Sequence, residues 1–209
     1  MFRFIRRIIK VNLDAYFLFE DSKFNIEDNE ILSEINVDGV AYCLLNDDWI
    51  PSLLTFLVDN QCFGKGAAVN NRKYNEMISR GYKCVIAKSE ESVVGMGWFC
   101  VLPKEKWPDF AKFPDISDHA ALLLTDFVSP QYRGKGIHKR LTYIRKIFAS
   151  KYKRDRVVSF VGVKNVESAR NYINNSTRYR LIYNVILEIS RVGKVSFFVN
   201  KKRENWNEL

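Results

Sequence analysis

The stretch from His119 to Leu141, HAALLLTDFVSPQYRGKGIHKRL, constrains this chain more than any other. It opens with a nearly continuous apolar run from His119 to Val128, the pattern of a central strand covered on both faces. Ser129 and Pro130 end that run. From Ile137 the apolar residues Ile137, Leu141, Ile144 and Phe148 recur at helical spacing, and Lys139, Arg140, Arg145 and Lys146 are assigned to the remaining helix surface. Between strand and helix lies the turn Gln131 to Gly136, which contains Gly134 and Gly136. Glycine lets the main chain come close to a ligand and adopt positive φ, so such a turn can present several backbone N–H groups to one anion. The helix start adds partial positive charge, about 0.3–1 kcal/mol per exposed anion contact, and Arg133 and Lys135 add mobile charge. The junction therefore reads as a pyrophosphate cradle. It is neither a GxxxxGK[ST] loop nor a GxGxxG fingerprint.

The rest of the chain supplies a sheet and further helices. ILSEINV and VAYCLL, separated by Asp38 and Gly39, predict two strands joined by a tight turn. Asn46, Asp47 and Asp48 offer caps for a helix with Pro51 in its first turn and Leu53, Leu54, Leu57 and Val58 on one face. A second helix is expected from about Asn70 to Arg80, closed by Gly81. YKCVIAK and VVGMGWFCVLP predict a hairpin across SEES, and Lys104 to Asp118, with Pro108 and Pro114, a loop. RVVSFVGV reads as a strand, Glu167 to Asn174 as a short helix, and RLIYNVILEI with KVSFFV as a closing hairpin around Val192 and Gly193. Gly64 and Gly66 form a second GxG, but no apolar strand leads into it and it reads as an ordinary loop.

Composition narrows the classes. The 209 residues are 47% hydrophobic and 27% charged, enough for a filled core and unlike a disordered chain. The formal net charge of +9 suits an anionic partner, but the basic residues are spread along the chain and no nucleic-acid motif is present, so nucleic acid is not an expected partner. Cys43, Cys62, Cys84 and Cys100 are far apart, form no CxxC pair and read as reduced thiols of a cytoplasmic protein. With only His119 and His138 as imidazoles and no HExxH, no metal is expected. No apolar run reaches the ~20 residues that span a bilayer. The start, MFRFIRRIIKVNL, would on a helix place Phe2, Ile5, Ile9 and Leu13 on one side flanked by arginines. That pattern suits peripheral contact of residues 1–13 with an anionic membrane surface, or equally packing on the chain's own domain or on a second subunit as a homodimer.

The string Gln131-Tyr132-Arg133-Gly134-Lys135-Gly136, after a buried strand and before a helix, resembles the Q/R-x-x-G-x-G/A acetyl-CoA motif of the GNAT superfamily of N-acetyltransferases. A second segment, VGVKNVESARNY, is similar to that family's Asn-x-x-Ala/Ser-x-x-x-Tyr pattern through Asn165, Ser168 and Tyr172. In element order the resemblance covers approximately Val40 to Val199. It implies an α/β (α+β) fold: a mixed, mostly antiparallel sheet flanked by helices, with a splayed central strand pair. Residues 1–30 are then a basic amphipathic extension, 31–200 the acetyltransferase domain and 201–209 a polar tail. The family's usual Gly-Phe after the tyrosine is replaced here by INNSTRYRL, and His138 stands where a small residue is common.

The resemblance also implies roles. Acetyl-CoA would be the co-substrate, with the main chain of Tyr132, Arg133, Gly134, Lys135, Gly136, Ile137 and His138 on its pyrophosphate. The backbone of Phe127 and Val128 would pair with the pantetheine amides, and an N–H there would polarise the thioester carbonyl. Asn165 and Ser168 would line the coenzyme from the other side, and the Tyr172 hydroxyl would protonate the departing thiolate. The amine must lose a proton to a carboxylate, a histidine or relayed water; of Asp126 and His119, on or beside the central strand, Asp126 is the expected base. The acceptor would be a small-molecule primary amine. A likeness to acetyltransferases of bacterial surface polysaccharides points to a nucleotide-linked amino sugar, handled in the cytoplasm or at the inner face of the membrane. The alternatives are an acetyltransferase for a protein or another small amine, and a non-catalytic acyl-CoA-binding module.

Overall fold

A computed structural model describes residues 9–22, 34–37, 39–90, 92–112, 116–173, 178–189 and 193–201. Outside them fall Phe2 and Ile5 of the expected N-terminal helix, Ile31, Asp38 of the expected tight turn, Pro114, Asn174, Val192 and the tail from Lys202 onward. The chain divides into two compact units, one made of Met1–Asp21, Asp109–Asp115 and Val158–Leu209, the other of Ser22–Pro108 and Ile116–Val157.

The second of these units carries a sheet in the order β2-β3-β4-β5-β6, from strands Glu34–Val37, Val40–Leu44, Lys83–Ser89, Ser92–Cys100 and Ala120–Val128. Every neighbouring pair is antiparallel. The hairpins follow from local chemistry: Gly39 takes φ +74°, a left-handed conformation that costs glycine little, and Val37 pairs directly with Val40. Helix α1 (Ile50–Asp59) carries Pro51 in its first turn and buries Leu53, Phe56 and Leu57. Helix α2 (Ala67–Ser79) begins earlier than the sequence suggests and ends at Gly81, whose φ is +75°. There Tyr82 N–H bonds the Met77 carbonyl, satisfying an acceptor that the helix end leaves open.

The earlier start of α2 traces to Asn70, which is fully buried. Its Oδ1 accepts Phe63 N–H at 3.1 Å, and its Nδ2 donates to the Gly64 and Gly66 carbonyls at 2.9 and 2.8 Å. One side chain thus ties the FGKG loop to the helix that follows it, as the loop reading of that second GxG requires.

Helix α3 (Ile137–Lys151) packs on β5 and β6 through Ile137, Leu141, Ile144 and Phe148. Two glycines of β5 make room for it. A Cβ at Gly95 would meet Leu141 Cδ1 at 3.3 Å, and one at Gly97 would meet the Arg145 guanidinium at 2.9 Å. On the alternating positions, Trp98 is buried with its ring 6.2 Å from that of Tyr74 on α2. Helices therefore cover both faces of β5, as the two-sided apolar pattern of this region demands.

The other unit has the order β7-β1-β8-β9, from all but the first two residues of strand Arg156–Gly162, all but the last of Ile9–Ser22, and strands Arg178–Ile189 and Gly193–Lys201, and it contains helix α4 (Val166–Ile173). The closing hairpin of β8 and β9 is present as expected, with Ile189 opposite Gly193. The N-terminal expectation is corrected from residue 9 onward. Ile9–Ser22 is a strand, not a helix, and it pairs antiparallel with β8 from Ile9 opposite Ile189 to Glu20 opposite Arg178. The alternation of Val11, Leu13, Ala15, Phe17 and Phe19 has the period of a strand, and ladder partners on β8 override the helical spacing of Ile5, Ile9 and Leu13. Among the described residues no helix is long and apolar enough to cross a membrane.

Candidate functional site

The end of β6 and the start of α3 form one small, heavily braced structure. Val128 pairs with Gly95, and Ser129 N–H continues the ladder to the Val94 carbonyl at 2.9 Å. Pro130, Gln131 and Tyr132 then make a single 3-10 turn, closed by Tyr132 N–H on the Ser129 carbonyl. Gln131 is exposed, and its Oε1 accepts the Ser129 hydroxyl at 3.4 Å. Arg133 turns back toward the strand: its Nε donates to the Val128 carbonyl at 3.3 Å, and its guanidinium lies 5.5 Å from the centre of the Phe127 ring. Lys135 sits 4.8 Å over the Tyr132 ring. Both cations are thus stationed on the turn by a flat aromatic surface.

Gly134 and Gly136 have φ of +77° and +74°, and a Cβ built on either meets nothing within 4 Å. Gly136 is the N-cap of α3 and supplies no side-chain cap, and the helix closes first with Arg140 N–H on the Gly136 carbonyl at 3.1 Å. The amides of the first turn therefore have no acceptor inside the helix. A left-handed glycine turn, open space before it, an uncapped helix start and two cations together fit a diphosphate.

Asp126 lies at the same junction, opposite Gly97 in the ladder. Its Oδ2 accepts Arg145 Nη2 at 2.6 Å, and its Oδ1 lies 3.0 Å from His138 Nε2. Burial would push this carboxyl up, but the Arg145 charge and the His138 hydrogen bond more than offset it and hold the group well below the usual carboxylate range. A carboxylate so held is a poor proton acceptor for an amine. His119, the other candidate, is exposed just before β6 begins. At about 3.3 Å per residue the strand carries it some 25–30 Å from Val128.

Sequence reasoning missed Arg145, which it assigned to the helix surface; the structure corrects this, since its side chain is fully buried. All five guanidinium N–H groups are satisfied. Nε donates to the Leu141 carbonyl, Nη1 to the carbonyls of Trp98 and Leu124, and Nη2 to Asp126 and the Thr142 hydroxyl. The carbonyls of Trp98 and Leu124 sit where the β5–β6 register slips: Gly97 faces Asp126 but Phe99 faces Leu123, so β6 carries one extra residue. Such a bulge disrupts the ladder, and the arginine takes up the acceptors there. A signal was present. Arg145 follows Leu141 by four residues, which puts it on the buried stripe rather than beside it.

The second motif lies in the other unit. Asn165 is exposed, and its Oδ1 accepts Ser168 N–H at 3.2 Å while its carbonyl accepts Ala169 N–H, so it caps α4. Ser168 is half-buried, and Tyr172 is buried with its ring stacked on Phe19 at 5.3 Å. Cys43, Cys84 and Cys100 are buried and Cys62 is half-buried, all as free thiols. Burial raises the Cys62 thiol to about 12 and also raises those of Cys84 and Cys100, so these three stay protonated at neutral pH.

No family model and no curated protein matches the sequence. Solved structures do match. The aminoglycoside acetyltransferase AAC(6')-Iy, in complex with the bisubstrate analogue CoA-S-monomethyl-acetylneamine, aligns at a TM-score of 0.52 and 14% identity, over 65% of this chain and 88% of that one. An acetyltransferase of the GNAT family from Colwellia psychrerythraea aligns at 0.52 and 13%, over 90% of this chain and 57% of that one. A protein of the GNAT family from Novosphingobium aromaticivorans aligns at 0.51 and 17%, over 87% and 68%. The chain has the GNAT fold, with its mostly antiparallel strands and flanking helices.

Proposed function

We propose that this chain is an N-acetyltransferase that moves acetyl from acetyl-CoA directly to a primary amine. The observation that carries the reading is the open glycine turn between β6 and an uncapped helix start, in a fold shared with structures that hold coenzyme A. Bound coenzyme A would supply the acetyl group as a thioester. The chain's own contributions are positional and electrostatic. Main-chain N–H groups from Tyr132 to His138 would take the pyrophosphate, with Arg133 and Lys135 beside it. The backbone at Phe127 and Val128 would receive the pantetheine arm and polarise the thioester carbonyl, an effect that elsewhere is worth about 10²–10³ in rate per donor. The resemblance gives the Tyr172 hydroxyl the proton that goes to the leaving thiolate, and Asn165 and Ser168 a place along the coenzyme. With Asp126 committed and His119 remote, the proton lost by the amine is assigned to water.

For the acceptor, we favour a nucleotide-linked amino sugar. The net charge of +9 suits its diphosphate, and the aminoglycoside N-acetyltransferase AAC(6')-Iy, of like fold, is captured with the bisubstrate analogue CoA-S-monomethyl-acetylneamine. Calorimetry with coenzyme A and acetyl-CoA tests the cradle; absence of heat from both removes the reading. A panel of UDP-linked amino sugars, peptides with free α-amino groups or lysines, and simple amines, each with labelled acetyl-CoA, tests the acceptor. Label in the peptides alone would replace the sugar assignment, and tight binding without transfer to any amine would make the chain an acyl-CoA-binding module. Tyr172→Phe is expected to lower turnover by about 10²-fold or more while coenzyme affinity changes little, and equal turnover would take Tyr172 out of the mechanism.

A further inference from the structure

Three groups from two elements are linked in series toward the cradle: Arg145, fully buried on α3; Asp126, near the end of β6; and His138, in the first turn of α3. The Arg145–Asp126 contact is 2.6 Å and the Asp126–His138 contact 3.0 Å. We infer that Arg145, Asp126 and His138 form a positioning chain that holds the end of β6 against the first turn of α3, keeping the cradle in its binding shape before any ligand arrives. That the cradle takes coenzyme A rests on the function proposed above; the bracing itself does not.

The inference follows from where each group is anchored. Arg145 is held by the carbonyls of Trp98 on β5 and Leu141 on its own helix as well as by Leu124 on β6, so its position does not depend on the end of β6 alone. Asp126 sits just before Phe127 and Val128, and His138 sits two residues past the Gly136 cap. The carboxylate therefore bridges the two sides of the turn, from the helix interior to its first turn. On the turn itself, Arg133 adds a second brace through its bond to the Val128 carbonyl and its place over Phe127. Without such bracing, glycines at 134 and 136 would leave the turn many conformations, and ordering it would weaken binding. The role of Asp126 is then to orient, and it does not take the amine's proton.

The test uses the full chain and begins without ligand. Amide hydrogen exchange is read at the bonded amides that frame the turn, Ser129 N–H on Val94 and Arg140 N–H on Gly136. His138→Ala is expected to speed exchange there about tenfold, while His138→Gln, which puts an amide nitrogen near the position of Nε2, stays within about threefold. Wild-type exchange in His138→Ala, or equal loss in both variants, overturns the inference. His138 is about a quarter exposed, so these variants remain informative if Asp126→Asn does not fold. Where Asp126→Asn does fold, it is expected to weaken coenzyme A binding about tenfold and to lower kcat by less than the 10²–10⁴ that a general base supplies. A loss of kcat in that larger range with affinity intact would make Asp126 the base and overturn the inference. If wild-type protein binds no coenzyme A but shows the expected exchange pattern, the proposed function falls and the positioning chain stands.

Discussion

The absence of a side chain at Gly97 is what admits the Arg145 guanidinium to the β5–β6 bulge, because a Cβ there would lie 2.9 Å from its Cζ and Nε. Gly97→Ala is therefore expected to destabilise the protein by about 1–3 kcal/mol, read as a lower urea midpoint at unchanged slope. Gly134→Val differs in kind. Nothing lies within 4 Å of its Cβ, so the fold should survive a conformational strain of about 1–2 kcal/mol, while coenzyme A binding is lost in calorimetry. Asp126 supplies a pH signature. Its folded carboxyl is depressed below the unfolded value of about 3.9, so its contribution is fully present above about pH 4 and is lost as pH falls further. Urea midpoints from pH 7 down to pH 2 should fall more steeply for wild type than for Asp126→Asn. The variant should start lower at pH 7 by about 3–5 kcal/mol, because Arg145 loses its buried counter-charge.

At the scale of elements, legibility in the sequence followed the strength of the local pattern. The run from Ala120 to Val128, the stripe from Ile137 to Phe148 and the stop at Gly81 are each set by nearby residues, and they appear where the sequence puts them. Strand β1 was not legible in this way. Its start shares apolar residues with a helical spacing, and what decides the matter is β8, more than 150 residues away in sequence. A proline in place of Leu13 is thus expected to destabilise this unit by removing a ladder N–H from a strand with neighbours on both sides, whereas it would only shorten a peripheral helix. Hydrogen exchange of β8 amides checks this, and unchanged protection there would speak against the pairing. Of the site, the glycine turn was legible because φ-positive positions demand glycine. For Arg145 only its place four residues after Leu141 was legible: a basic residue on a helix is usually solvated, and the compensating carbonyls come from a bulge that no local pattern announces.

Across the whole molecule, the charge of +9 gives the proposed diphosphate partner a general attraction on which the turn then confers geometry. Coenzyme A affinity should fall as sodium chloride is raised from 0.05 to about 0.5 M, while Gly134→Val shows no binding at either salt; an affinity indifferent to salt would place the phosphates away from the cations. The loop below α2 offers a practical consequence. Because the amide of Asn70 grips Phe63, Gly64 and Gly66 from beneath, Lys65 is left at an exposed crest of a tied-down loop. A fluorophore or short epitope tag grafted at that crest would ride on a rigid pedestal, giving a handle for immobilising or tracking the protein without unpicking its core.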